Sequence, residues 1–348
     1  MMKFEKLEWI KKITAKQIAV MCMVMIAIYF IAPMSVNVDQ DDTNAVGSMG
    51  EGYEEPRESE THIVYVLHES GYLVKTDVEA DPDVSHIESV FTGIQDGTDR
   101  LQSNIAGLIP SSAVLRDYVV VDDALTLNLS ESFLYYRTSA EENLLTSLVW
   151  SMTELPHIDR VHFQIEGEPV DNLNGVIDVG RGLTRSMGIN LEVGAPSVLD
   201  AKMMMLYFFT DDTTDALLVP VTRLVASGVN PFEYAVSSLV RGPIGATYIS
   251  VFNHRATLLE QPRLEDGIMT LNFCSELFYN QDQTQVSSQV IKQLVMTMTE
   301  FDEVYEVSVV IEGSSRVFDD AGNPITVPVG RSGVLDSDER TGGYVREY

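Results

Sequence analysis

Thr126-Leu127-Asn128-Leu129 recurs as Thr270-Leu271-Asn272-Phe273, 144 positions further along the chain. Two further pieces recur at nearly the same spacing: Met152-Thr153-Glu154 as Met298-Thr299-Glu300, and Glu166-Gly167 as Glu312-Gly313. This period is too long for one unit of a solenoid and has about the length of a whole small domain. The chain therefore contains a tandem duplication. Its two halves are predicted to be domains with tails, the first copy at residues 62–195 and the second copy at residues 203–335.

The composition is that of a globular protein with a strongly acidic balance. The chain has 348 residues, 45% of them hydrophobic, which is enough for two cores of ordinary domain size. Its formal net charge is −29, and a field of that sign repels nucleic acids and anionic membrane surfaces. Basic proteins, cell-wall cations and calcium remain possible partners, and solubility is the simpler explanation of the charge. The two cysteines, Cys22 and Cys274, lie in unlike segments, so neither a disulfide framework nor a thiolate metal site is predicted.

The N-terminal segment has the pattern of a membrane anchor. Residues 17–38 carry no charge and are mostly apolar, and a helix of that length crosses a hydrocarbon core of about 30 Å. Residues 1–16 carry five lysines, which by the positive-inside rule stay in the cytoplasm. We predict a single-pass protein of the cell membrane with the bulk of its chain extracytoplasmic; a cleaved signal peptide is the alternative. Residues 39–61 hold eight acidic residues, which predicts a disordered tether, and residues 336–348 are predicted to be a frayed C-terminus.

Hydrophobic patterning predicts the same opening elements in both copies. Two apolar strands surround a polar turn, at residues 63–67 with 72–76 and at 205–209 with 216–221. A helix follows, and in the second copy Asn230 and Pro231 are typical of its first turn and Gly242 of its end. In the first copy the matching apolar stripe has five members: Val84, Ile87, Val90, Phe91 and Ile94.

The second half of each copy repeats more faithfully. Leu125, Leu127 and Leu129 alternate with polar residues, which indicates a strand with one packed face. The next helix has one apolar stripe in both copies: Leu144, Leu145, Leu148, Val149 and Met152 correspond to Val290, Ile291, Leu294, Val295 and Met298. A closing strand and an extended Val-Gly-Arg tail, at 179–181 and 329–331, complete each copy.

The order β-β-α-β-β-α-β predicts an α+β fold. We expect two tandem small α/β sandwiches, each with its helices on one face of a sheet, behind the N-terminal transmembrane helix. Helices between strands also bring some strand pairs parallel.

Several pieces of the second copy together resemble a GerM domain, a module of sporulation and spore-germination proteins in Gram-positive bacteria. They are Leu218-Val219-Pro220-Val221-Thr222-Arg223, Leu239-Val240-Arg241-Gly242-Pro243, Leu271-Asn272-Phe273, and residues 296–300 and 309–313. The first copy resembles a more diverged version that lacks the Leu-Val-Pro-Val-Thr-Arg run and the Gly-Pro pair. The resemblance implies a fold similar to the ring-building domains of secretion systems and a role in the envelope complex joining mother cell and forespore. GerM-type proteins can be lipoproteins, whereas this chain has the pattern of a transmembrane helix.

No histidine or acidic arrangement typical of a metal site recurs in the two copies. His157 and His162 of the first copy match Glu303 and Ser308 of the second, so no histidine site is duplicated. Four acids alternate near the first helix: Asp77, Glu79, Asp81 and Asp83. A solvated edge is favoured over a calcium site there, because the glycine and the terminal glutamate of an EF-hand loop are missing. We predict no metal and no cofactor.

Two glutamates and three arginines are the remaining polar candidates. Glu154 and Glu300 both follow Met-Thr; we expect them in separate domains with a helix-end role, rather than as paired acid–base carboxylates. Arg223, Arg241 and Arg255 are unusual in so acidic a chain, and each either forms an ion pair with a neighbouring carboxylate or contacts a partner protein. Since histidines and surface loops differ between the copies, we expect that no polar site is kept twice.

These observations favour a structural role over catalysis. We predict a membrane-anchored extracytoplasmic assembly protein, not an enzyme, which acts in bacterial sporulation and spore germination through contacts with envelope or sporulation-complex proteins. No nucleic acid partner is expected. The alternative is an extracytoplasmic ligand-binding or sensing module for cell-wall material or calcium. A cell-wall hydrolase is a third hypothesis, and it requires a carboxylate or metal cluster that the sequence does not assemble.

Overall fold

The computed structural model describes residues 61–97, 105–195, 197, 199–211, 216–245, 247–280, 282, 284–325 and 328–335. The predicted basic segment, transmembrane anchor and frayed C-terminus, and all of the tether except Thr61, lie outside these residues. No helix within the described ranges has the length and the apolar character needed to cross a membrane.

Both copies mix strands and helices, which confirms the α+β class. The first copy runs β1 (Thr61–His68), β2 (Leu73–Glu79), α1 (His86–Asp96), β3 (Ile105–Ala106), β4 (Leu115–Val121), β5 (Ala124–Leu129), α2 (Glu141–Met152), β6 (Arg160–Ile165), β7 (Glu168–Pro169) and β8 (Glu192–Val193). The second copy runs β9 (Ala201–Phe209), β10 (Leu218–Ala226), α3 (Pro231–Arg241), β11 (Arg263–Glu265), β12 (Ile268–Phe273), α4 (Ser288–Met298), β13 (Glu306–Ile311), β14 (Val329–Gly330) and α5 (Arg331–Leu335). The predicted succession of hairpin, helix, hairpin, helix and strand is present in each copy.

The copies share a sheet. Within the described residues, β4-β5-β6-β7 form a sheet of the first copy, and β11-β12-β13-β14 form the matching sheet of the second. A six-stranded sheet contains both opening hairpins, β1–β2 and β9–β10, joined by the antiparallel pair of Lys75 and Leu218. The sequence pattern predicts two tandem sandwiches, each built on one sheet; the structure instead divides the strands of each copy between two sheets and joins the copies through one of them. Pairing β2 with β10 satisfies backbone groups that a free hairpin edge leaves exposed.

The two smaller sheets have the predicted parallel pairs. Strand β5 pairs in parallel with β6, and β12 pairs in parallel with β13, because a helix connects the two strands in each case. The hairpin turns before β5 and β12 place Asp122 at φ 55° and Asp266 at φ 50°, in the left-handed region that aspartate tolerates. The alternating leucines of β5 are fully buried.

Helices α2 and α4 pack against the shared sheet and cover its strand edges. Their predicted apolar stripes are buried. The Tyr65 N–H of β1 donates to Ser151 Oγ of α2 at 2.9 Å, and the Tyr207 N–H of β9 donates to Thr297 Oγ1 of α4 at 3.0 Å. Helix hydroxyls thus take the place of a further strand, which is one way that proteins cover a sheet edge.

The first helix of each copy begins at a capping residue. The Ser85 and Glu88 side chains form a capping box at α1, so the helix starts after Val84. Val84 is 43% exposed, and the predicted stripe is wrong at this one position. In α3 the Asn230 side chain accepts hydrogen bonds from the second and third helical N–H groups, and Gly242 ends the helix at φ 84°, as predicted.

Candidate functional site

Arg223 forms a buried ion pair. It lies on β10 directly beside Glu192 of β8, and its Nε and Nη2 approach Glu192 Oε2 at 2.7 and 2.6 Å. Nη2 also donates to the Gly242 carbonyl oxygen at 3.1 Å. The Arg223 side chain is 4% exposed and that of Glu192 is 5% exposed. Of the two alternatives for Arg223, the structure has the ion pair, and the predicted partner contact is wrong at this residue because a buried guanidinium does not reach a partner.

Glu192 connects the tail of the first copy to the second copy. Besides Arg223, its carboxylate accepts hydrogen bonds at Oε1 from the Ile244 N–H (2.9 Å) and the Tyr248 hydroxyl (2.7 Å). Burial, and next the hydrogen bond to Glu192, raise the pKa of Tyr248 far above its usual range, so the phenol stays protonated and donates. A buried carboxylate with its oxygens satisfied in this way is a structural connection between the copies.

Asn190 reinforces the same junction. Its side-chain amide accepts a hydrogen bond from the Leu73 N–H at 2.9 Å and donates to the Leu73 and Pro220 carbonyl oxygens, both at 2.8 Å. Leu73 begins β2 and Pro220 lies in β10, so one side chain joins the two opening hairpins. Asn190 has φ 46°, a left-handed conformation that asparagine adopts at modest cost.

Arg241 and Arg255 are exposed, and no ion pair within the described residues involves either of them. Arg241 lines an open groove of about 580 Å³ between α3 and residues 254–261. The groove is lined by apolar side chains, among them Val236 and Leu258, and by six further polar ones: Glu233, Ser237, His254, Thr257, Glu260 and Gln261. These two arginines therefore stay candidates for partner contacts.

A polar network stands at the end of α2. Glu154 Oε1 accepts hydrogen bonds from the Tyr65 hydroxyl at 2.6 Å and from Arg185 Nη2 at 2.8 Å. Arg185 also donates from Nε to Thr153 Oγ1 (2.7 Å) and from Nη2 to the Trp150 carbonyl oxygen (3.1 Å), and its guanidinium lies 4.7 Å from the centre of the Trp150 ring. The network ties the helix end to β1 and to the tail.

The same network recurs at the end of α4. Glu300 Oε1 accepts from the Tyr207 hydroxyl at 2.9 Å and from Arg331 Nη2 at 2.5 Å. Arg331 donates from Nε to Thr299 Oγ1 (3.1 Å) and from Nη2 to the Met296 carbonyl oxygen (3.2 Å). The expectation that no polar site is kept twice is therefore wrong, while the helix-end role of both glutamates with their threonines is confirmed.

The tails also align differently from the prediction. The Val-Gly-Arg pieces at 179–181 and 329–331 suggest that Arg181 matches Arg331, but Arg185 occupies the place of Arg331. In the second tail Val329–Gly330 form a short strand on β13, as predicted, whereas Val179–Gly182 form a turn.

The two networks are electrostatically coupled through Lys75. This lysine is buried on β2, opposite Tyr65 and Leu218, and burial lowers its pKa while Glu154 and Glu300 counteract that effect. Burial alone raises the pKa of Glu154, but the charges of Lys75 and Arg185 and the Tyr65 hydrogen bond outweigh it and hold the pKa below its usual range. Glu154 belongs to the first copy and Glu300 to the second, and both act on this one lysine.

The protonation states of the network residues favour a structural role for the networks over catalysis. Burial, followed by the neighbouring Tyr207 and Glu154, raises the pKa of Tyr65 well above its usual range. Burial and Glu300 raise that of Tyr207 in the same way. Protonated phenols, an ionised Glu154 and arginines satisfy one another here, so neither a free base nor a nucleophile results. Within the described ranges, no three His, Cys, Asp or Glu side chains have the geometry of a metal site, and Asp77 and Glu79 are exposed at the end of β2.

Comparison with known proteins identifies the class. The family model named Germane, described as sporulation and spore germination, matches residues 63–171 and 205–317, one segment in each copy. The matched segments make up more than half of the chain, and the chain belongs to the Germane family. The resemblance to GerM-domain proteins is confirmed.

Individual relatives agree with this assignment. The spore germination protein GerM of Bacillus subtilis (strain 168) is 25% identical over 277 residues, which cover 77% of this chain and 76% of that protein. The solved structure of the tandem GerMN domains of the sporulation protein GerM from Bacillus subtilis matches with a TM-score of 0.70 at 23% identity, over 78% of this chain and 98% of that one. The structural match shows that the two chains share the tandem α+β fold.

Proposed function

We propose that this chain is a membrane-anchored, extracytoplasmic assembly protein that acts in sporulation and spore germination through contacts with envelope proteins. Membership of the Germane family supports the role in sporulation and germination. The observation that carries the assembly role is the use of the paired charges. Both Glu–Arg–Tyr networks and the Arg223–Glu192 pair connect helix ends, tails and strands, so they stiffen a joined pair of domains and leave surfaces, rather than reactive groups, for function.

The membrane anchor rests on the uncharged run at residues 17–38 and the lysines before it. Fractionation of cells that make the chain with a C-terminal tag tests it. We expect the tagged chain in the membrane fraction, released by detergent but not by salt or carbonate, and degraded by protease added to protoplasts. Protection of the tag from external protease rejects the extracytoplasmic orientation.

The role in assembly is tested in sporulating cells of the host. Deletion of the gene is expected to lower the yield of heat-resistant spores or to slow their germination, and the wild-type chain restores both. Photo-crosslinkers at exposed positions spread over both copies are expected to capture envelope proteins during sporulation. Normal spores from the deletion strain reject the sporulation role, and crosslinks to no envelope protein reject the assembly role.

A second candidate function, ligand binding or sensing, is favoured by the groove beside α3. Its volume of about 580 Å³ lies within the usual range of small-molecule sites, and its lining includes the positively charged Arg241. Cell-wall fragments with a carboxylate are the natural ligand class for that arginine. Calorimetric titration of the chain with such fragments, with Arg241→Gln as the control variant, tests this candidate, and equal heats for both proteins reject it.

A further inference from the structure

The outer strands of the two smaller sheets occupy the same place in each copy. Within the described residues β4 pairs only with β5, and β11 only with β12, so each strand has an open edge. Their registers correspond: Val119 pairs with Thr126 as Arg263 pairs with Thr270, 144 positions later. Val119-Val120-Val121 therefore matches Arg263-Leu264-Glu265, and Tyr118 and Pro262 directly precede these segments. Further upstream the spacing is 143, because Asn128 donates to Asp117 as Asn272 donates to Glu260.

The second copy protects this edge next to the hairpin turn, and the first copy does not. Strand β11 is three residues long, Pro262 precedes it, and the charged Arg263 and Glu265 flank its single leucine. Proline and charge on a short edge strand are standard means of preventing another strand from pairing with it. Strand β4 is seven residues long and has a pairing irregularity between Leu115 and Asp117, but it contains no proline and ends in three valines that are 54%, 42% and 60% exposed.

The surroundings of the β4 edge are acidic. Asp122 and Asp123 form the exposed hairpin turn, and the Asp159 N–H donates to the Asp123 carbonyl oxygen at 2.8 Å, which brings a third exposed aspartate to the same end. The positive charge of Arg116 is already balanced by Glu166, at 3.0 Å. A strand that pairs with this edge therefore meets valine side chains along its length and negative charge at the turn.

We propose that the open edge of β4 binds an extended segment of a partner protein, in which β-branched residues alternate with lysine or arginine, as an added strand. The inference rests on the proposed function as an assembly protein and names the surface and the chemistry of its partner. Backbone hydrogen bonds to the free edge provide affinity, and the valines and the turn aspartates select apolar and basic side chains. A second copy of this chain, with a net charge of −29, places like charges against each other at the same edge.

The test uses the full chain in mild detergent and a fluorescein-labelled peptide of about eight residues in which valine and lysine alternate. Fluorescence anisotropy is expected to show binding to the wild-type chain. The variant Val119→Arg/Val121→Glu gives β4 the residues that β11 has at the same positions, and we expect it to weaken binding at least about tenfold. Because this variant adds one positive and one negative charge, its net charge is that of the wild type, and a general electrostatic effect does not account for the loss.

Two further variants separate backbone pairing from side-chain contact. Tyr118→Pro removes one backbone N–H at the position of Pro262 and is expected to weaken binding by a similar factor. Pro262→Tyr/Arg263→Val/Glu265→Val gives β11 the residues of β4 and is expected to raise the binding stoichiometry from one peptide to two. Circular dichroism and urea midpoints confirm that each variant is folded.

Several outcomes overturn the proposal. One is equal affinity of the wild type and Val119→Arg/Val121→Glu, and another is equally tight binding of a peptide that alternates valine with glutamate. If the wild type sediments as a dimer and the same variant sediments as a monomer, the β4 edge binds a second copy of the chain. That result rejects the basic partner. The proposed function has its own test: it is rejected if the wild-type chain crosslinks to no envelope protein. If the Val119→Arg/Val121→Glu variant has unchanged crosslinks and spore yield, only the role of the β4 edge is rejected.

Discussion

The network at the end of α2 and the network at the end of α4 use the same atoms, from the carboxylate Oε1 of Glu154 or Glu300 to the threonine hydroxyl of each helix. The outer strands β4 and β11 differ at all three positions where their pairing corresponds, Val119-Val120-Val121 against Arg263-Leu264-Glu265. Loss of one network member leaves half-buried polar groups unpaired, which is a physical reason for both copies to have the whole network. An edge strand is under no such constraint, and there the two copies have acquired different surfaces.

A second difference lies within the shared sheet. By the register of the two opening hairpins, Arg223 of the second copy corresponds to Val78 of the first. Arg223 is buried with Glu192, while Val78 is a half-buried side chain that packs beside Gly93 of α1. The second copy therefore forms a buried ion pair with the tail that precedes it. At the corresponding position the first copy has the apolar side chain of Val78.

The largest effect is expected from breaking this buried pair. Arg223→Met leaves the Glu192 carboxylate buried without its main counter-charge and is expected to lower the free energy of unfolding by about 3–5 kcal/mol. Val78→Ala at the corresponding place in the first copy is expected to cost about 1 kcal/mol. Urea denaturation followed by circular dichroism measures both. Addition of Glu192→Gln to Arg223→Met is expected to restore part of the loss, and a loss below about 1 kcal/mol for Arg223→Met contradicts the asymmetry.

The two networks are expected to contribute equally. Glu154→Gln and Glu300→Gln each replace a charge-assisted acceptor that is partly exposed, and we expect each to lower the free energy of unfolding by about 1–2 kcal/mol. Glu142→Gln, on the exposed face of α2, is the matched control and is expected to change stability by less than about 0.5 kcal/mol. A difference above about 1 kcal/mol between the two network variants in urea denaturation shows that the copies are not equivalent here.

Acid is expected to remove the contribution of Glu154. The pKa of this carboxyl is held below its usual range in the folded chain, so its stabilisation is present at neutral pH and is lost as the pH falls through the folded-state pKa. The difference in melting temperature between the wild type and Glu154→Gln is therefore expected to shrink below about pH 4.5. Thermal melts between neutral and acidic pH measure it, and a difference that stays constant across the range contradicts the depressed pKa.

The sequence predicted the elements because their signals are local and occur twice. The stripe of α2 and the alternation in β5 are complete within one element, and the second copy repeats them. The network was missed because its members are far apart in the chain: Tyr65 and Glu154 are separated by 89 positions. One signal was present, since Arg185 and Arg331 are 146 positions apart, as are Met152 and Met298, whereas the more conspicuous Val-Gly-Arg tails have a different spacing.

No local sequence pattern predicts that the two copies share a sheet. Lys75 and Leu218 meet across 143 positions, and the Asn190 side chain that joins their strands comes from the tail between the copies. The ion pair of Arg223 could not be predicted for the same reason, because its partner Glu192 lies in that tail. The local sequence around Arg223 does not distinguish an ion pair from a surface contact.

The smallest effect on stability, and the sharpest test of the edge strands, is expected from exchanging their residues. The Val119 and Val121 side chains are more than half exposed, so Val119→Arg/Val121→Glu is expected to change the free energy of unfolding by less than about 0.5 kcal/mol in urea. The same variant is expected to reduce light scattering on heating, and Arg263→Val/Glu265→Val to increase it, since charge on an edge strand opposes pairing between chains. A loss above about 1 kcal/mol for the first variant means that the valines of β4 serve the packing of the first copy, and the difference between β4 and β11 is then one of core packing and not of edge protection.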